Sequence, residues 1–186
     1  MRPTGIRDSQ GRIPPTRCGL LGRTVAGLLL YIVVAAGLDA EPVTFQRPGW
    51  LFSAELPGKP EISENTSVGA RGPMLRSRVS CLHEAAVFLV ARTSAGFVLS
   101  PKAYEESEEA EFPGSAVKTE IDEKVEISGH AGRRLVLVDT VSKLRRETWV
   151  FLLGKEMYVF SVQAVGVTSD DPVAKRFFAS IRVQSR

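Results

Sequence analysis

Between Val43 and Val165 the chain repeatedly alternates apolar and polar residues in short runs broken by Gly and Pro. That rhythm commits most of it to β-structure. Successive side chains of a strand point to opposite faces, so a period of two lays apolar residues along one side of a sheet. Val43–Gln46 is a short run of this kind, stopped by Arg47-Pro48-Gly49, and Trp50–Leu56 is a second, ended by Pro57-Gly58-Lys59-Pro60. Glu61–Val68 is a third. Met74–Leu82 places Leu75, Val79 and Cys81 on one face and Arg76, Arg78 and Ser80 on the other. Ala85–Arg92 is nearly all apolar, as in a strand covered on both faces. Lys124–Ile127 and Arg133–Asp139 continue the pattern. Lys143–Leu153 and Glu156–Val165 flank Gly154-Lys155, a strong hairpin signal because Gly supplies the positive φ of a tight turn. In the last of these runs Tyr158, Phe160 and Val162 share one face, and Met157, Val159 and Ser161 the other.

Two stretches read as helix. Ser100-Pro101 suits an N-cap and first position, Lys102–Glu111 has helix-forming composition, and Pro113-Gly114 ends it. Near the C-terminus, Ser169-Asp170-Asp171-Pro172 offers caps, after which Val173 with Phe177 and Ala174 with Phe178 form an apolar stripe. Ile181-Arg182-Val183 then returns as a short edge strand. Helices following antiparallel strands predict an α+β fold, a central antiparallel β-sheet with helices packed on its faces.

The first forty residues differ in kind. Arg2, Arg7, Arg12, Arg17 and Arg23 precede an apolar run from Thr24 to Leu38, followed by small residues, which is the layout of an export signal. The chain therefore divides into 1–40, a basic leader with a signal peptide or short membrane anchor, and 41–186, one globular domain. Fifteen apolar residues extend about 22 Å as a helix against a hydrocarbon core of about 30 Å, which favours a cleaved signal over an anchor through 24–38. The expected location is extracytoplasmic, periplasmic or secreted. The leader also holds the whole charge excess: residues 41–186 carry 19 Lys and Arg against 19 Asp and Glu. A neutral domain has no overall field to attract nucleic acid. Cys18 lies in the leader, so Cys81 has no disulfide partner within the domain.

Three landmarks point to a family. Phe52-Ser53-Ala54-Glu55-Leu56-Pro57-Gly58-Lys59-Pro60 resembles the F-S-x-x-F-P-G-x-P opening of small exported bacterial domains with a PsbP-like fold. Gly129-His130-Ala131-Gly132-Arg133 resembles their G-x-x-G-R/K, and Arg176-Phe177-Phe178-Ala179-Ser180-Ile181 their R-F-x-x-S-F ending. The resemblance spans residues 43–184. It implies an α-β-α sandwich and binding or assembly roles, as in the photosystem II extrinsic protein that names the family, with no common catalytic site.

Reaction chemistry is sparse. Cys81 and His83 stand at i and i+2, on one face of a strand about 6–7 Å apart, which is too far for a nucleophile and base in contact. Glu105, Glu106, Glu108, Glu109 and Glu111, with Glu120, Asp122, Glu123 and Glu126, form an acidic stretch (105–126) that lacks the Asp/Asn and Gly pattern of a calcium loop and reads as a solvated helical face. Arg133, Arg134, Lys143, Arg145 and Arg146 form a basic counterpart, suited to surface ion pairs within the domain or to anionic lipid headgroups. Trp50, Phe52, Trp149, Phe151, Tyr158 and Phe160 fall at strand spacing and read as core. Asn65-Thr66-Ser67 is a glycosylation sequon, meaningful only in a eukaryotic source. No catalytic, cofactor-binding or metal-binding residue is assigned, and no cofactor is implied. The expectation is an exported, non-catalytic binding or scaffolding module with a protein partner at the outer face of the cytoplasmic membrane. The alternatives are a membrane-surface domain and an enzyme using Cys81 and His83.

Overall fold

The computed structural model describes residues 41–69, 72–100, 116–166 and 170–184. The leader 1–40 and the expected helix Lys102–Glu111 lie outside the described residues. The strands are β1 (Val43–Phe45), β2 (Phe52–Leu56), β3 (Glu61–Gly69), β4 (Gly72–His83), β5 (Ala86–Ala95), β6 (Val117–Ile127), β7 (His130–Asp139), β8 (Leu144–Leu153), β9 (Glu156–Val165) and β10 (Arg182–Val183), with one helix, α1 (Pro172–Ala179). Seven of them form an antiparallel sheet in the order β3-β4-β5-β9-β8-β7-β6, and β1-β2-β10 form a small second sheet.

The expected α+β class is not what the chain adopts. Among the described residues 66% are in strands and 7% in helix, so the domain is mostly β, with two antiparallel sheets and a single helix. The physical reason lies in how the large sheet is covered. One face packs under both α1 and the three-stranded sheet, with Phe52, Leu56, Val79, Phe88, Val90, Phe151, Tyr158, Phe160, Phe177 and Ile181 in one continuous core. A layer of helices is replaced there by strand β2. The opposite face carries a smaller cluster of Ala91, Leu135, Val150, Met157 and Val159. The acidic stretch also departs from the helical face expected of it, since Glu120, Asp122 and Glu123 lie on β6, which extends the expected strand Lys124–Ile127 back to Val117.

Much of the strand pattern holds. Tyr158, Phe160 and Val162 join the large core and Met157 and Val159 the other face, as alternation requires. Gly154 takes φ +66° at the β8–β9 turn. β5 is third from the sheet edge, with Val90 and Ala91 buried on opposite faces. α1 is capped by Asp171, whose Oδ1 accepts from the backbone N–H groups of Val173 (2.8 Å) and Ala174 (3.0 Å), with Pro172 in the first turn.

The Gly129–Arg133 motif now has a physical reading. Ser128 (φ +50°) and Gly129 (φ +80°) make the paired left-handed turn that matches strand twist between β6 and β7. His130 sets its ring edge-to-face with Phe52, centroids 5.8 Å apart. Gly132 lies under Phe151, where an added Cβ would stand 2.6 Å from the ring and 2.8 Å from the Val150 carbonyl oxygen. At the other end of β7, the Asp139 carboxylate accepts from the Val141 N–H (2.9 Å) and the Ser142 hydroxyl (2.6 Å), ordering the turn into β8.

Gly132→Ala is expected to destabilise the fold by about 1–3 kcal/mol through overpacking, while Gly96→Ala, with open space around it, should be neutral or slightly stabilising. Urea denaturation of both variants checks this, and equal midpoints would contradict it. The hydrogen bonds of Ser142 and Val141 hold the Asp139 carboxyl pKa below its ordinary value. Its stabilisation is therefore complete above the unfolded carboxyl pKa and is lost as pH falls through the depressed folded one. The stability difference between wild type and Asp139→Asn should be largest near neutrality and shrink in acid.

Candidate functional site

The described surface has an open cleft of ≈ 350 Å³ where the end of β2, the end of β4 and the first turns of α1 meet. Alternation along β2 buries Phe52, Ala54 and Leu56 and turns Glu55 outward. Pro57 and Gly58 then end the strand, and Pro42 enters from the other side. Leu56 and Phe177, both fully buried, form the floor, while Pro42, Pro57, Pro172 and Val173 give the walls an apolar character. Charge is confined to the rim. Arg176 Nη2 and Nε both donate to Glu55 Oε2 at 3.3 Å. Both side chains are well exposed, so this pair adds little stability and its charges are available to a ligand. His83, at the end of β4, lines the same cleft.

Cys81 does not reach it. It is buried, and its sulfur packs behind Gly58, 3.8 Å from where a Cβ on that glycine would sit. Burial raises the thiol pKa, against a smaller opposing effect of the Gly58 backbone N–H. A nucleophilic cysteine needs the reverse, an accessible thiolate. His83 instead sets its ring edge-to-face with Phe88, centroids 6.5 Å apart. The two residues of the candidate enzyme pair therefore differ in access: His83 lines the cleft and the Cys81 thiol is buried.

The basic cluster meets the acidic stretch within the sheet. Arg133 pairs with Asp122, Arg145 with Glu120, and Arg134 with both Glu123 (2.8 Å) and Glu147 (2.8 Å). Arg146 donates twice to the Gln163 amide oxygen, at 2.9 and 2.7 Å. Burial of Arg134 disfavours its charge, but the hydrogen bonds and charges of Glu147 and Glu123 outweigh that and raise its pKa. Strand pairing explains this match: Glu123 lies opposite Arg134, and Asp122 one step on faces the other side with Arg133. The carboxylates of β6 therefore diverge to two faces. No group of three or more potential metal ligands converges among the described residues. Glu105, Glu106, Glu108, Glu109 and Glu111 lie outside them. Lys143, the fifth base, donates to the Thr140 carbonyl at 2.7 Å.

A second polar network closes the far end of the core. Tyr158 accepts from the Leu51 N–H (3.0 Å) and donates to Glu156 (2.8 Å), which also pairs with Arg92. Arg47 pairs with Glu64 (2.7 Å) and sits 6.0 Å over the Trp50 ring. These contacts fasten the loop between β1 and β2 to the sheet. All six aromatics read as core lie in or against the large cluster. The cleft itself was not legible in the sequence. Glu55 and Arg176 do sit inside two of the family landmarks, but nothing in their spacing shows that they meet.

No model of a known protein family matches the chain, and no curated protein matches it. Among solved structures it is similar to the solution structure of the cyanobacterial PsbP protein CyanoP from Synechocystis, with TM-score 0.53 at 9% identity over 81% of this chain and 96% of that one. The chain has a PsbP-like fold. That identity shows the fold alone. A crystal structure from Bacteroides thetaiotaomicron aligns at TM-score 0.42 and 12% identity, over 77% of this chain and 48% of that one. A Pseudomonas aeruginosa protein of unknown function aligns at 0.36 and 15%, over 67% and 83%. Among the described residues no helix is long and apolar enough to cross a membrane.

Native protein in a Cys18→Ser background should react with a maleimide at Cys81 only as fast as the structure opens. Rapid labelling of one thiol in the folded state would contradict the burial of Cys81.

Proposed function

We propose that the chain is an exported, non-catalytic binding module that holds a protein partner in the cleft between β2, β4 and α1. The observation that carries this reading is the composition of the cleft. Its floor and walls are apolar, its rim offers one carboxylate, one guanidinium and one imidazole, and no Ser, Thr, Cys or Lys is among the described residues that line it. Such a surface suits recognition: apolar contact supplies the affinity and a few polar groups fix orientation. The likeness of the sequence landmarks to PsbP-like domains, with their binding and assembly roles, supports the same direction. Export rests on the leader, and with it a partner at the outer face of the cytoplasmic membrane.

An enzyme built on Cys81 and His83 is disfavoured by the buried, proton-retaining thiol. Membrane attachment through Arg133, Arg134, Arg145 and Arg146 is disfavoured because each already has an acidic or amide partner.

Co-purification of the exported form from its native membrane fraction tests the reading. Val173→Asp places a charge on the apolar wall and should reduce partner recovery by about tenfold or more. Cys81→Ala should leave recovery unchanged. Recovery that survives Val173→Asp, or that is lost in a folded Cys81→Ala variant, would overturn the reading.

A further inference from the structure

The two edges of the seven-stranded sheet are β3 and β6, and they are built differently. β6 carries Lys118, Glu120, Asp122, Glu123, Lys124 and Glu126, and its register shifts between Thr119 and Ile121. Charges and a bulge are the usual means of keeping an edge from pairing with another strand. β3 has neither. It runs in unbroken register against β4 from Glu61 to Gly69, contains no Lys, Arg or Pro, and has only Glu61 and Glu64 as charges. Among the described residues no strand pairs with its outer edge. Ile62 and Val68 are 59% and 79% exposed there, on the sheet face that also holds Val79.

We propose that β3 pairs antiparallel with β3 of a second copy of this chain, about a two-fold axis at Asn65, joining two seven-stranded sheets edge to edge. The evidence is the self-complementarity of the strand. In a continuous sheet, opposed residues share a face, so a two-fold axis can pass only through a residue opposed to itself. Centred on Asn65, Ile62 faces the partner's Val68, Ser63 the partner's Ser67 and Glu64 the partner's Thr66. Glu61 then faces the partner's Gly69. Apolar residues meet at both ends of the pairing, and no like charges are opposed. Moving the axis to Glu64 sets two carboxylates against each other. Moving it to Thr66 sets Glu64 against the partner's Val68. Only the register at Asn65 satisfies the apolar and the charged positions together. Glu64 keeps its internal partners Arg47 and Ser77 in this arrangement. One strand pair with its flanking side chains is at the small end of specific interfaces, so the dimer is weak and reversible. This inference is independent of the cleft, which lies at the β2–α1 end of the domain.

Sedimentation velocity on the full chain tests the pairing. Wild type should show a concentration-dependent monomer–dimer equilibrium. Asn65→Lys and Asn65→Glu should each be monomeric, and an equimolar mixture of the two should restore the dimer. Independently, Asn65→Cys should form an oxidised dimer readily. Ser63→Cys should not, because its two copies lie about 13 Å apart along the strands. A wild type that stays monomeric up to about 1 mM, a folded Asn65→Lys variant that dimerises as well as wild type, or Ser63→Cys cross-linking as fast as Asn65→Cys would overturn the proposal.

Discussion

The ring of Phe52 is the contact on which the architecture depends. It is fully buried and meets Phe151, Tyr158, Phe160 and His130 of the large sheet at centroid distances of 5.0, 5.1, 5.8 and 5.8 Å. Strand β2 needs this anchor. Among the described residues its strand partners are β1, of three residues, and β10, of two, so its ladder is too short to hold it in place alone. Burying side chains of this size contributes roughly 1.5–3 kcal/mol each, and Phe52 and Leu56 are both fully buried. α1 is in turn fastened to β2, since the Ser180 hydroxyl accepts from the Glu55 N–H at 2.8 Å. Phe177 and Phe178 then seat the helix against Phe88 and Trp149. The cleft exists because this cap closes one face of the sheet and leaves a gap at its rim.

Electrostatics follow the same geometry. Charges that would be unpaired on an isolated strand meet across the β6-β7-β8 ladder, where Asp122, Glu123 and Glu120 neutralise Arg133, Arg134 and Arg145. The domain is neutral overall, and at the rim of the cleft the exposed Glu55–Arg176 pair and the His83 imidazole are the polar groups a ligand would meet. The pairing across β6-β7-β8 explains why β6 is a quiet edge, while β3, poor in charge, is the edge open to a partner.

Where one face of a strand is buried, the sequence carried the answer. The alternation of β9, the Gly154 turn and the capped stripe of α1 were all legible, because burial on one side forces a period. The start of β6 was not. Val117–Glu123 is wet on both faces of an edge, so Lys118, Glu120, Asp122 and Glu123 hide the period of two and their Glu-rich composition reads as helix. The fold class failed for a related reason: β2 does the covering that helices were expected to do, and a strand of five residues carries no sign of which layer it joins. The candidate site was the least legible part. Cys81 and His83 stand two residues apart on one strand, yet the thiol is buried in the core while the imidazole lines the cleft, a difference in depth that their spacing does not show. Glu55 and Arg176, 121 residues apart, meet only once Phe52 has docked β2.

Native-state hydrogen exchange tests that dependence most directly. If Phe52 binds the cap to the sheet as one cooperative unit, amides of β2 and α1 should exchange with the same free energy of opening as those of β8 and β9, and Phe52→Ala should lower all of them together. Exchange of β2 and α1 through a separate, lower-energy opening, with β8 and β9 still fully protected in wild type and unaffected in Phe52→Ala, would contradict it.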